Sequence, residues 1–293
     1  MNLDPHQQAV LVTGSSMGLG LETALHLAEK RMSVYAGVLS QAEEPAVLAA
    51  ASERGVSLEV VPLDITDESS IEAAVERVLS RGAGLYGLVN NAGIGLRGCL
   101  EDLTTPEIRA VFEANVIGTM AVTRAVLPAM RAARRGRVVT ISSVGGRIAS
   151  FGLSAYCATK FAQEGFAEAL ALEIAPFGLH SILVEPGMVK TTRWTVNRGL
   201  AQRALEGGSP YQAMFARHEE LADRIVNRSK IRPVDVAQVV YRALTDPRPR
   251  MRYVVGRPAT AAIALRRYLP NRLFERVYFG SLLRQVAPGM RAG

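Results

Sequence analysis

Seven short apolar runs, most of them rich in β-branched residues, punctuate this chain: "AVLVTG", "SVYAGVLS", "SLEVVPLDIT", "GLVNNAG", "GRVVTISS", "HSILVEPG" and "RYVVG". Between them apolar positions recur at helical spacing, as in "GLETALHLAEKR", where Leu21, Ala24, Leu25 and Ala28 share one face. "PAVLAAASERG" reads as a helix closed by Gly55, and "DESSIEAAVERVLSRG" as one capped by Thr66. "TPEIRAVFEANVIGTMAVTRAVLPAMRAARRG" predicts a long helix with Thr105 as N-cap and Pro106 at its first position. Another helix begins near Tyr156. Apolar strands alternating with helices form a mostly parallel sheet covered on both faces. The expected class is therefore α/β, a single doubly wound domain. It has a seven-stranded parallel sheet, helices on both faces and a helical C-terminal tail.

Strands recur until Val255, so residues 1–257 are expected to form one domain and 258–293 a helical extension. The segment 192–232 adds no strand and is too long for an ordinary connection, which marks a lid or binding element. Its Trp194, Leu200, Tyr211, Met214 and Phe215 suit either a lipophilic substrate or packing of the lid onto the domain, and His218 could touch substrate. In the tail, Tyr268, Phe274, Tyr278 and Phe279 alternate with Arg266, Arg267, Arg272, Arg276 and Arg284, and Pro270 divides two helices. An apolar stripe on such helices must be covered. The tail is expected to pack beside the lid and help enclose substrate, with subunit association or a membrane surface as alternatives.

Composition narrows the function classes. Hydrophobic residues make up 48% of the 293 and charged residues 21%, enough for a large core. The net charge of +7 is concentrated late in the chain. No nucleic-acid motif accompanies it, so nucleic acid is not an expected partner. Peripheral membrane contact through the basic tail stays open. No run nears the roughly 18 apolar residues of a membrane-spanning helix. The start "MNLDPHQQAVLVTG" lacks the basic flank and long apolar run of a secretory signal, and a cytoplasmic location is expected. Cys99 and Cys157 make no disulfide framework, and His6, His26, His180 and His218 are scattered, so no metal site is expected.

Two stretches carry candidate chemistry. "VLVTGSSMGLGLETALHLA" sets Gly14, Gly18 and Gly20 between the first strand and the first helix. A tight turn, close backbone approach and an open helix N-terminus are what a pyrophosphate needs. "SAYCATK" places Tyr156 and Lys160 four positions apart, neighbours on one helix face. A phenol of pKa about 10 becomes a useful acid or base when a nearby positive charge favours its phenolate. Taken alone, the same spacing also describes a solvated helix face.

In combination, "TGSSMGLG", "NNAG", "EANVIGT", "ISS", "YCATK" and "EPGMVKT" follow the order and approximate spacing of the short-chain dehydrogenase/reductase family. The chain resembles that family over residues 9–191. "VYAGVLS" and "RYLPNRLFERVYFG" resemble its retinol and 17β-hydroxysteroid dehydrogenase branch. The resemblance implies hydride exchange between a nicotinamide cofactor and a secondary alcohol or ketone, lipophilic and steroid- or retinoid-like. Tyr156 would be the general acid/base, Lys160 would lower its pKa and bind the nicotinamide ribose, and Ser143 would hold the substrate oxygen. Asn115 would anchor a water linking the lysine to solvent and complete a proton relay. Gly14, Gly18 and Gly20, with Ser16 and Leu19, would cradle the diphosphate. Asp64 and Ile65 would meet the adenine, although Asp64 could merely cap a turn. Asn91, Ala92 and Gly93 would line the adenosine side and brace the sheet. Pro186, Gly187, Val189 and Thr191 would hold the nicotinamide end. A homodimer or homotetramer is implied.

Met17 stands before Gly18 where a base would meet a 2′-phosphate, and "AGVLSQAEE" offers no Arg or Lys. Glu43 and Glu44, slightly beyond the strand, would repel phosphate, yet no acid sits at the strand's tip. NAD(H) is favoured, and NADP(H) is not excluded. Cys157 reads as a small packing residue. Two other readings are an NAD-sensing or interaction protein without turnover, and a sugar-nucleotide epimerase. Ser143, Tyr156 and Lys160 together argue against the first, and the Gly14–Gly18 gap against the second.

Overall fold

The computed structural model describes residues 8–80, 84–191, 199–287 and 289. All seven apolar runs are strands: β1 (Ala9–Val12), β2 (Ser33–Val38), β3 (Glu59–Pro62), β4 (Leu85–Asn90), β5 (Gly136–Ile141), β6 (Leu179–Pro186) and β7 (Arg252–Val255). They form one parallel sheet in the order β3-β2-β1-β4-β5-β6-β7. The strand order reverses direction between β1 and β4. In such sheets the carboxyl ends of these strands open a crevice for ligand.

Alternation along each strand divides the core in two. Val10 and Val12 face α1 (Gly18–Glu29) and the later helix Pro233–Thr245, packing with Leu27, Val240 and Leu244. Ala9 and Leu11 face the other layer, where Ile71 and Val75 of α3 (Glu68–Ser80) meet Val122, Val126 and Met130 of a long helix. That long helix, α4 (Thr105–Ala132), runs through a π turn at Glu113–Gly118. Between α1 and α3 lies α2 (Glu44–Glu53).

The structure moves two helix starts. Thr104, not Thr105, caps α4: its hydroxyl accepts from Glu107 N (3.3 Å), while its own N–H donates to the Glu107 carboxylate (2.7 Å). Reciprocal satisfaction of two orphan donors favours this start. At α3 the carboxylate of Asp67, not Thr66, takes the N–H of Ser69 (3.1 Å), because Thr66 is already bonded to Asp64. Contrary to expectation, α4 is long and apolar enough to cross a membrane by length and composition, with mean hydropathy 1.3. Half of that stretch is buried inside the fold, so it serves as a core helix.

Helix α5 (Ser154–Ile174) crosses the sheet behind β6. The lid contributes α6 (Gln202–Leu205) and α7 (Gln212–Arg228), followed by α8 (Pro233–Thr245); Trp194 and the rest of 192–198 lie outside the described residues. Phe215 is buried among Leu96, Leu103, Val111 and Ala155, so it packs the lid onto the domain. His218 is buried too, its ring against Phe151 and its Nε2 3.4 Å from Ser150 Oγ. Beside it the buried Arg97 pairs with Glu219 at 2.9 Å. The tail breaks at Pro270 between α9 (Arg257–Tyr268) and α10 (Asn271–Phe274), then continues through a π turn into α11 (Gly280–Val286). It packs beside the lid: Arg217 Nε of α7 donates to Val286 O at 2.9 Å. Phe274 is fully buried, stacked on Tyr278 and beneath the Arg266 guanidinium.

Candidate active site

The glycine turn and the "NNAG" loop lock together at the ends of β1 and β4. Asn91 Nδ2 donates to Thr13 O (2.9 Å) and Gly14 O (3.0 Å). Thr13 Oγ1 accepts from the backbone N–H groups of Asn91 and Ala92. Gly14 has φ +66°, and a Cβ there would also lie 2.8 Å from Ala92 Cα. A Cβ on Gly20 would collide with Gly14 O, so the helix must enter the turn without a side chain. The N-cap residue of α1 is Met17, whose side chain carries no oxygen to cap the first turn. That leaves a helix N-terminus suited to negative charge in a backbone cradle, and the residues present fit a dinucleotide pyrophosphate. Ser16 and Leu19 are half-buried on this turn.

The Asp64 carboxylate accepts through Oδ1 from the Thr66 N–H (2.8 Å) and hydroxyl (2.7 Å). It therefore does cap the turn. The Ile65 side chain packs in the core. Gly93 abuts Asn115, whose Oδ1 would lie 2.8 Å from a Cβ at that glycine. At the end of β6, Gly187 N donates to Val255 O (2.9 Å) and Val189 is buried in the core. Thr191 returns to the glycine turn: a Cβ on Gly18 would lie 4.0 Å from Thr191 Cβ. An acid does reach the tip of β2, because the turn Gln41–Glu43 folds Glu43 back to accept from Leu39 N at 2.9 Å.

Ser143, Tyr156 and Lys160 converge at the carboxyl end of β5. Ser143 follows that strand in extended backbone and its hydroxyl accepts from Gly145 N (3.0 Å). Tyr156 stands in the first turn of α5 with Lys160 one turn further on; Lys160 Nζ is 5.8 Å from the Tyr156 ring centroid. Burial pushes the phenol up to about 12, and a hydrogen bond with Ser143 works in the opposite direction. Burial pulls the Lys160 ammonium down to about 8, opposed by Glu164. Burial governs both groups here, because desolvation penalises the charged form of each. Cys157 is buried and its thiol is raised by burial, in keeping with a packing residue.

Asn115 sits in the π turn of α4 and is fully buried. Its side chain accepts from Ile94 N (2.8 Å) and donates to Ile94 O (2.9 Å) and Thr159 Oγ1 (3.1 Å). Its main-chain oxygen accepts from Gln163 Nε2 at 2.6 Å, and Gln163 Oε1 accepts from Lys160 Nζ at 2.9 Å. A side-chain amide thus fills the link where the family resemblance implies a water. Gln163 and Thr13 are the residues that sequence reasoning missed. The only signal for Gln163 was a polar residue one turn past Lys160 on a helix with a buried face.

Strand order, crossovers and the glycine cradle define a doubly wound dinucleotide-binding fold of the oxidoreductase kind. Residues 8–201 match the family model described as short chain dehydrogenase, and the chain belongs to that family. It is an NAD(P)-dependent oxidoreductase acting on CH–OH groups. Human 17-beta-hydroxysteroid dehydrogenase type 1 is 35% identical over 251 residues, covering 83% of this chain and 76% of that protein. Retinol dehydrogenase 8 from Bos taurus is 32% identical over 271 residues, covering 90% and 86%. A short-chain dehydrogenase structure from Streptomyces avermitilis superposes with a TM-score of 0.77 at 30% identity, covering 95% of this chain and 100% of that one. The branch resemblance read from the sequence is borne out.

Proposed function

We propose that the protein interconverts a lipophilic secondary alcohol and its ketone through Ser143, Tyr156 and Lys160, with NAD(H) preferred. The observation that carries this reading is the convergence of a serine, a phenol and a buried ammonium beside the strand ends that flank the glycine cradle. A bound nicotinamide nucleotide supplies or takes up the hydride. Gly14, Gly18 and Gly20 with the α1 N-terminus would hold its diphosphate, and Asp64 its adenine. Asn91, Ala92 and Gly93 would line the adenosine side, and Pro186, Gly187 and Thr191 the nicotinamide end.

The proton is the protein's own contribution. With its pKa raised, Tyr156 carries its proton at neutral pH and gives it to the substrate oxygen as a ketone is reduced. Ser143 donates to the same oxygen and fixes its place. Lys160 stands behind the phenol as the cation that stabilises it once the proton has left. Glu43 at the tip of β2 opposes a 2′-phosphate, and Arg54, a nearby base, is already held by Glu22 (2.7 Å) and Glu29 (2.9 Å).

We assign residues 1–257 to the catalytic unit and 258–293 to a helical extension, whose described part packs beside the lid through Val286. The aromatic packing of Phe274, Tyr278 and Phe279 within a tail whose Val286 is bonded to α7 supports an apolar enclosure. The proposed partners are thus a small lipophilic alcohol or ketone and a second copy of the chain, and the proposed location is cytoplasmic. Incubating purified protein with NADH or NADPH and a panel of apolar ketones, with Tyr156→Phe as control, tests the reading. Turnover of a steroid-like or retinoid-like ketone that the variant loses supports it, and turnover confined to small polar carbonyls overturns the substrate class.

A further inference from the structure

Gln163 is 2% exposed, one turn past Lys160 on α5, facing the π turn of α4. Its amide can be oriented in one way only. An ammonium has donors alone, so the atom facing Lys160 Nζ at 2.9 Å must be the carbonyl oxygen. The Asn115 main-chain carbonyl is an acceptor alone, so the atom facing it at 2.6 Å must be the NH2. That NH2 also reaches Thr119 Oγ1 (3.3 Å), and the Thr119 hydroxyl donates to the same Asn115 oxygen (2.9 Å). A π turn shifts backbone hydrogen bonding by one residue, and such turns occur often at functional sites. Here the turn presents the Asn115 carbonyl to a side chain on the neighbouring helix.

We propose that Gln163 is a positioning residue of the catalytic site, holding the Lys160 ammonium through its amide oxygen and tying it directly to the main-chain oxygen of Asn115. The inference rests on the proposed roles of Tyr156 and Lys160. Its physical content is twofold. A charge-assisted hydrogen bond favours the protonated lysine against the desolvation that burial imposes. Because a side-chain amide does not give up a proton at neutral pH, the link to Asn115 fixes geometry and passes no proton.

The other charged and titratable groups around Lys160 are Tyr156 and Glu164 on its own helix and Glu185 at the end of β6. Glu185 lies against Glu164 and is paired with Arg147 (3.1 Å) and Arg252 (3.1 Å). Arg252 of β7 also binds Glu164 at 3.0 Å. None of these ion pairs includes Gln163.

The test is the pH profile of kcat for ketone reduction with NADH, using a ketone that the wild type reduces, for the variants Gln163→Leu, Gln163→Met and Gln163→Glu. Loss of the amide oxygen removes support for the ammonium, so the alkaline limb moves to lower pH in the first two. A carboxylate at this position moves it to higher pH. Displacements of about one unit, a tenfold change in the protonation equilibrium, are expected. Opposite shifts are not what a merely structural side chain produces. Circular dichroism and melting curves establish which variants are folded. If Gln163→Glu does not fold, the downward shift in the methionine variant, which keeps the side-chain length, carries the test. Unshifted limbs in folded variants, or shifts in one common direction, overturn the inference. Lys160→Met separates the two levels: if it keeps wild-type kcat, the catalytic reading itself fails. If it is inactive while the Gln163 variants titrate like the wild type, only the role of Gln163 fails.

Discussion

The side-chain amide of Asn91 donates to the carbonyl oxygen of Gly14 at 3.0 Å, joining two motifs 77 positions apart in the chain. The same nitrogen reaches Thr13 O at 2.9 Å, so one side chain fixes the path of the glycine turn. Asn91→Leu leaves those carbonyls unpaired in partly buried surroundings, a loss of about 1–3 kcal/mol. Urea unfolding of the variant should show that destabilisation, and fluorescence titration should show weaker NADH binding. Wild-type affinity in the folded variant would mean that the turn holds its shape without the asparagine.

Tyr156→Phe removes one hydroxyl at the meeting point of Ser143 and α5. Turnover should fall by about 10²–10⁴-fold, the usual contribution of a general acid. Cofactor affinity and melting temperature should stay close to wild type. A folded variant with near wild-type kcat would remove the tyrosine from the proton step.

Lys160 makes stability depend on pH with a definite sign. Its folded value of about 8 lies below the ordinary lysine value of 10.5, so the unfolded chain holds the proton more tightly. Between about pH 8 and pH 10.5 the unfolded state binds more protons, and the contribution of this group to stability therefore rises with pH. Below pH 8 the cost of burying the charged form is fully present. Lys160→Met has no such titration, so its stability relative to wild type should decline across that window. Denaturant unfolding of both proteins at pH 7 and above pH 10 measures the difference, and a pH-independent gap would contradict the burial effect.

Leu39, 64% exposed, and Glu43 meet at the tip of β2. The wild type should have the higher kcat/KM with NADH. Leu39→Arg combined with Glu43→Gln supplies a guanidinium and removes the opposing charge, and a charge-assisted bond of about 1.5–3 kcal/mol predicts a gain of roughly tenfold or more for NADPH relative to NADH. Steady-state kinetics with both cofactors and one ketone check this, and an unchanged ratio would place the ribose elsewhere.

Phe274 is fully buried within the tail, against Tyr278, Phe279 and the Arg266 guanidinium. Phe274→Ala should cost about 3–5 kcal/mol if the cavity does not collapse. If the tail encloses substrate, KM for a bulky apolar ketone should rise more than KM for NADH. A KM unchanged for the ketone, with altered sedimentation on anionic liposomes or a changed subunit count by light scattering, would assign the tail to association instead.

Hydrophobic periodicity was sufficient for the seven strands, because a strand buried on both faces must be apolar over its whole length. Glycine spacing after the first strand likewise marked the tight turn into α1, since a φ of +66° at Gly14 is a local demand on one residue. Ser143, Tyr156 and Lys160 were also legible, two of them as neighbours on one helix. What tertiary structure alone decided involves partners distant in the chain. Gln163 meets Asn115 only because α4 and α5 pack side by side, and Phe215 proved to be core because the lid folds back onto Leu96 and Val111. Glu43 reached the tip of β2 through a turn that no apolar pattern announces. The balance at Tyr156 and Lys160 was likewise invisible in the sequence. Spacing shows that the two groups are close, but burial, which depends on everything packed around them, decides which charge the site tolerates.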